Sequence, residues 1–241
     1  MKKNVFILFV TLLTCVFLFC GCGMNSRSAL LKYAEKKYNK QFDVLEEHIE
    51  PAFEIWGYPV SYLVLTNKDD NFCFRVVYTQ KEVSDDYMSV YYGTFLTNTA
   101  AETLFNKQLD IADISYHGYL LSDHISDYMT EETPQFNKKD RLYAVIAFEC
   151  PEIFTDKDFQ DAVQTVYDSL HKNGTEFMLQ VIGVKADDFS VIADKITKLS
   201  GGSDFLEPGD FDGMLKYNFW YSFDSATPLT VEVLQKSIKK F

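Results

Sequence analysis

His117 and His124 stand among Asp113, Asp123 and Asp127. Imidazole and carboxylate groups are the ligands of zinc and its neighbours. The spacing fits neither the i,i+4 pair of a helical zinc site nor the closer spacing of a finger, so the segment reads as polar and solvated, and no metal is expected. The loop 204–213 offers Asp204, Glu207, Asp210 and Asp212, hard oxygen donors that would suit calcium. Asp210-Phe211-Asp212-Gly213 matches only a fragment of the helix-loop-helix calcium pattern and lacks its bidentate glutamate, so an acidic turn is expected there. No GxSxG, HExxH or phosphate-binding loop occurs, and no cysteine lies near a histidine in sequence. Nucleophile and base can converge from distant parts of a chain, so spatial triads stay open. Asp85-Asp86 and Asp187-Asp188 read as helix-start acids favoured by the helix dipole. These residues give no catalytic assignment and call for no cofactor.

Aromatic side chains are a different resource. They make up 16% of the 241 residues. Exposed aromatic faces bind sugar rings, peptides and partner proteins. Trp56, Tyr58, Trp220 and the run Tyr87, Tyr91, Tyr92 are the candidates. Trp220 shares a strand face with Lys216, Asn218 and Ser222, opposite an apolar face, which suits an edge or groove. The competing arrangement is a second layer of structure covering that face.

Five cysteines occur: Cys15, Cys20, Cys22, Cys73 and Cys150. Lys2 and Lys3 precede an uncharged, proline-free run from Val5 to Phe19, the layout of a secretory signal peptide. Phe19-Cys20-Gly21-Cys22 then resembles the lipobox of bacterial lipoproteins, with a large apolar residue three places before the cysteine and a small one directly before it. Phe19 takes the first place and Gly21 the second. The resemblance covers only this amino-terminal stretch. It implies cleavage after Gly21 and a diacylglyceryl thioether on Cys22, with or without a third acyl chain on its amine. Two chains hold a protein stably at a membrane where one of myristoyl length does so only marginally, at about 0.8 kcal/mol per buried methylene. The alternative is an uncleaved signal anchor, and both place the body on the extracytoplasmic face of the cell membrane. Cys73 and Cys150 then remain in the body. They could form one bridge or serve as small core residues, and two cysteines do not make a disulfide scaffold.

Removing residues 1–21 takes away Lys2 and Lys3 and no acid, leaving 21 basic and 35 acidic residues, a balance of −14. Nucleic acid is excluded as a partner, because phosphate neutralisation needs a basic face. The partners expected are the membrane, through the lipid on Cys22, and an unidentified protein or glycan.

The elements follow from periodicity. Ser26 or Ser28 can cap a helix reaching to about Lys40. Strands are predicted at 42–49, 60–66 and 72–79, the last two joined as a hairpin across the polar turn 67–71. Between 84 and 109 the apolar stripe changes face near 93–98. A helix is predicted at 99–109 with a less regular one before it, starting at Ser84-Asp85-Asp86. Arg141 to Glu149 reads as an apolar strand. Thr155 can cap a helix that ends at Asn173-Gly174. Glu176 to Val184 reads as a central strand. Asp187 opens a further helix, closed by Gly201-Gly202. A strand at 214–223 and a final helix from Thr227-Pro228 through Val231, Leu234, Ile238 and Phe241 complete the chain.

This is an α+β pattern, with a mixed or antiparallel sheet and helices packed on one face. The expected organisation is a signal peptide at 1–21, a lipidated tether at 22–28, an N-terminal half at 29–110 and a C-terminal half at 111–241, forming one domain or two small ones. A lipid-anchored, non-catalytic binding or interaction module is expected. The alternatives are an envelope-acting hydrolase and an accessory subunit of an envelope assembly. The abundance of Lys, Asn, Phe and Ile resembles that of uncharacterised lipoproteins of low-GC Gram-positive bacteria.

Overall fold

A computed structural model describes residues 26–49, 60–70, 72–79, 82–105, 107, 109, 111–123, 125, 128, 136, 138–172, 174–200, 205–211, 213–222 and 229–241. The signal peptide, Cys22, Trp56, Tyr58, His124 and Asp127 lie outside them. The fold is α+β, with one antiparallel and one mixed sheet. The chain divides into two compact units. One holds the residues up to Asn67 together with Arg75–Asp85, and the other holds Lys68–Phe74 and Asp86–Phe241.

In the first unit, helix α1 (Arg27–Tyr38) starts where Ser26 accepts a hydrogen bond from the Ala29 amide at 3.2 Å. It ends at Asn39, held in the left-handed region at φ 52°. Four strands follow in sheet order: β1 (Asp43–His48), β2 (Val60–Thr66), β3 (Cys73–Thr79) and β4 (Glu82–Asp85). Helix α1 packs on β2, burying Leu30 and Ala34. Asp85 does not start a helix as the sequence suggests. It is the last residue of β4, and its side chain, 1% exposed, faces α1. There it accepts from Tyr33 Oη at 3.0 Å, from Lys37 Nζ at 2.8 Å and from Tyr38 Oη. Desolvation pulls the Lys37 ammonium pKa down, but the Asp85 carboxylate outweighs it and holds the group above its ordinary value.

The second unit opens with helix α2 (Tyr87–Phe105), one continuous helix where the sequence suggested two pieces. The stripe changes face because Gly93 and Gly118 bring α2 and strand β5 (Ile114–Leu121) nearly into backbone contact. The helix buries glycine there instead of a large side chain. Strands β6 (Arg141–Cys150) and β7 (Glu176–Lys185) run parallel, joined by helix α3 (Asp156–Lys172). Thr155 and Asp158 form a reciprocal cap on α3: the Thr155 amide donates to Asp158 at 2.8 Å, and the Asp158 amide to Thr155 Oγ1 at 3.3 Å. Gly174, at φ 75°, turns the chain out of α3 into β7. The sheet order is β5-β6-β7-β8-β9, with β8 at Leu215–Tyr221 and β9 at Ile238–Lys240.

Helices α2 and α3 share one face of this sheet, over Leu142, Ala144, Ile146, Phe148, Leu179 and Val181. The short helix α4 (Phe189–Thr197) lies on the other face, over Val145, Ala147, Ile182 and Val184, so the helices are not confined to one face. Strands β6 and β7 are buried from both sides, which explains their nearly unbroken apolar runs. Helix α5 (Val231–Ser237) is shorter than its periodicity suggests and starts at Thr230, whose hydroxyl accepts from the Val233 amide. Ile238 leaves it to pair with Phe219, because β8 offers an open backbone edge. Lys240 seals that pairing at 2.7 Å from Asp156, which also accepts from Tyr217 Oη at 2.8 Å.

Candidate functional site

Where α3 ends and β7 begins, the second unit carries an open cleft of about 480 Å³. Its walls are Lys138, His171, Gly174, Thr175, Glu176, Phe177 and Tyr221. Local structure sets each in place. His171 occupies the last turn of α3 and stacks on Tyr167, with ring centroids 5.6 Å apart and planes 8° apart. Gly174 allows the turn that puts Thr175 and Glu176 beside that helix end. The Glu176 amide then donates to the Asp140 carbonyl at 3.1 Å, fixing the start of β7 against the start of β6. The buried Asp140 carboxylate is itself held by Tyr128 Oη at 2.5 Å.

The aromatic wall is a connected set. Tyr221 meets Tyr167 edge-on at 5.1 Å and Phe177 at 5.5 Å, and Tyr167 meets Phe177 at 5.4 Å. Such contacts hold the rings rigidly. Burial, followed by the bond to the Tyr221 hydroxyl, raises the Tyr167 phenol above its ordinary range, so it stays neutral. The polar groups of the wall are Lys138, His171, Thr175 and Glu176. Glu176 is the one carboxylate among the lining residues and pairs with Arg141 Nε at 3.6 Å. Thr175 is 6% exposed, and its Oγ1 has no hydrogen-bond partner. The cleft can hold a small molecule against a flat ring surface with a few polar contacts. Among the described residues lining it, Glu176 is the one carboxylate, whereas glycoside cleavage uses a pair roughly 5–10 Å apart.

The residues singled out from sequence lie elsewhere. Trp220 is 36% exposed, and its ring sits 4.3 Å from that of Phe205, on the face of β8 opposite Tyr221. Phe205 packs against one part of that face, and the Trp220 ring stays partly exposed. Its neighbour Asn218 is buried and accepts from Gln180, which also bonds the backbone of Leu206 on both sides. Of the tyrosine run, Tyr87 and Tyr92 are buried and Tyr91 is 41% exposed. Cys73 and Cys150 are not joined by a disulfide. Both are buried thiols, and burial raises Cys150 to about 12, as suits a core residue. His117 is 3% exposed with an unpartnered Nε2, and burial lowers its pKa to about 4. Among the described residues no group of three or more His, Cys, Asp and Glu could hold a metal.

No family model matches the chain, and no curated protein matches it. Among solved structures it is similar to a DUF5037 family protein from Ruminococcus gnavus. The TM-score is 0.56 at 14% identity, over 86% of this chain and 96% of that one. At that identity the likeness is one of fold.

The sequence pointed to Trp220 because tryptophan on a polar face is conspicuous. The cleft is built from residues with ordinary local explanations: Gly174 as a helix stop, His171 as a last-turn residue, Tyr221 as core. The one local signal for it is the Tyr167–His171 spacing of four, which stacks the two rings on one helix face.

Proposed function

We propose that the protein is a lipoprotein held at the extracytoplasmic face of the cell membrane through Cys22, and that it acts there as a non-catalytic binding module. The address rests on Lys2, Lys3, the apolar run to Phe19 and the Gly21-Cys22 pair. The binding role rests on one observation, the rigid aromatic cleft of Tyr221 and Phe177 with a single ion-paired carboxylate. Pockets that bind small molecules are concave, mostly apolar and furnished with a few placed polar groups. Crosslinking in intact cells followed by affinity purification tests the proposal, with Cys22→Ala as control. Specific enrichment of an envelope component by the native chain, lost in the variant, supports it. Cleavage of an envelope polymer by the pure protein, with no component enriched, replaces it with the hydrolase alternative.

A second reading is an accessory subunit of an envelope assembly. Helix α2 favours it, since Tyr91, Phe95 and Phe105 are 41%, 55% and 58% exposed on one stripe. Photocrosslinking from position 95 to a protein rather than a small ligand would favour this role.

A further inference from the structure

We infer that the cleft between the end of α3 and the start of β7 binds a small ring-bearing carboxylate of the acidic-sugar class, an assignment that rests on the binding-module proposal. Charge comes first. The whole chain has a formal net charge of −12, yet in this cleft the lining carboxylate, Glu176, is paired with Arg141, which leaves the Lys138 ammonium to meet a ligand. Lys138 and His171 form its wall. Lys138 is exposed and makes no ion pair among the described residues, and the His171 ring stacks on that of Tyr167. An exposed ammonium at the mouth of a cleft in an acidic protein selects an anion.

The remaining wall narrows the anion. Glu176 is acceptor-only and has Arg141 on one side at 3.6 Å, so its remaining lone pairs suit hydroxyl or amide donors from a ligand. The same carboxylate opposes a doubly charged phosphate more strongly than a singly charged carboxylate. Tyr221 and Phe177 supply flat apolar surface for the C–H face of a ring. A ring carrying hydroxyls on one side and a carboxylate on the other meets all of these demands. A neutral sugar leaves Lys138 unused, and a simple aromatic acid brings Glu176 no donor beyond Arg141.

Calorimetric titration of the full chain in detergent micelles tests this, with D-glucuronate, D-glucose and inorganic phosphate as probes at millimolar concentration. The expected result is saturable glucuronate binding, at least about ten-fold tighter than glucose. Lys138→Ala should erase the preference over glucose, Tyr221→Leu should weaken both sugars, and Trp220→Ala should change neither. Lys138 is exposed, so its removal leaves the fold intact. Equal binding of glucuronate and glucose, tighter binding of phosphate, binding indifferent to Lys138→Ala, or no binding of any probe would each overturn the assignment. If no probe binds while crosslinking still recovers an envelope component, the ligand class falls and the binding module stands.

Discussion

A Cβ on Gly118 would stand 2.0 Å from the carbonyl oxygen of Gly93, and one on Gly93 would stand 2.3 Å from the Tyr119 backbone nitrogen. Helix α2 and strand β5 therefore meet backbone to backbone. Thr97 closes the contact by donating its hydroxyl to the Gly93 carbonyl at 2.8 Å, and Thr94 donates to Gly118 at 3.3 Å. Neither obstacle is the end of a flexible side chain, so the helix must move if either glycine gains a methyl. Gly118→Ala should destabilise the second unit by about 3 kcal/mol. Chemical denaturation followed by circular dichroism reads this directly. A loss under about 1 kcal/mol would show that the two backbones are not in contact.

Asp85 ties α1 to β4 through two tyrosine hydroxyls and one ammonium. The carboxylate is buried, whereas Lys37 is 41% exposed, so the hydroxyl bonds matter more than the ion pair. Asp85→Asn should cost roughly 2 kcal/mol, since its amide presents donors to hydroxyls that need an acceptor. Lys37→Met should cost less than about 1 kcal/mol. Urea midpoints for the two variants measure the contrast, and equal losses would refute the ranking.

His117 sets a pH dependence. Its folded pKa, about 4, lies below the ordinary value of 6.5 because burial penalises the cation. The unfolded chain binds the extra proton between those values, so stability rises with pH through that window and is level above it. As pH falls from 6.5 toward 4, this residue should remove roughly 3 kcal/mol. His117→Leu should flatten the slope in that interval, as followed by denaturation midpoints at successive pH values. A variant as steep as the native protein would place the titration elsewhere.

Thr175→Val removes a buried hydroxyl that has no partner and keeps the shape of the side chain. A gain of about 1 kcal/mol is expected, because an unsatisfied group costs more than it returns. Differential scanning calorimetry would show the melting temperature rise. A fall would mean that the hydroxyl is bonded in solution.

Much of the second unit was legible in sequence because its strands and helices obey simple periods. Phe159, Ala162, Val163, Val166, Tyr167 and Leu170 form one buried face, and Thr155 and Gly174 bound that helix as their residue types require. The continuous α2 was hidden by Gly93, since a glycine used for close packing looks the same as one that interrupts a stripe. Strand β9 was hidden because Ile238 keeps helical phase with Leu234, and only the open edge of β8 decides against the helix. The cleft was less visible than either. Lys138, His171 with Thr175, and Tyr221 come from three stretches of chain, and convergence of that kind is a property of topology rather than of spacing.

The proposed role depends on the proposed lipid on Cys22, because that anchor would decide which ligands the cleft can meet. Intact-mass and peptide mass spectrometry of protein extracted from membranes tests it most directly. The account predicts a chain beginning at Cys22, with diacylglycerol joined to its sulfur through a thioether. An unmodified chain beginning at Met1, recovered from the cytosol, would contradict it.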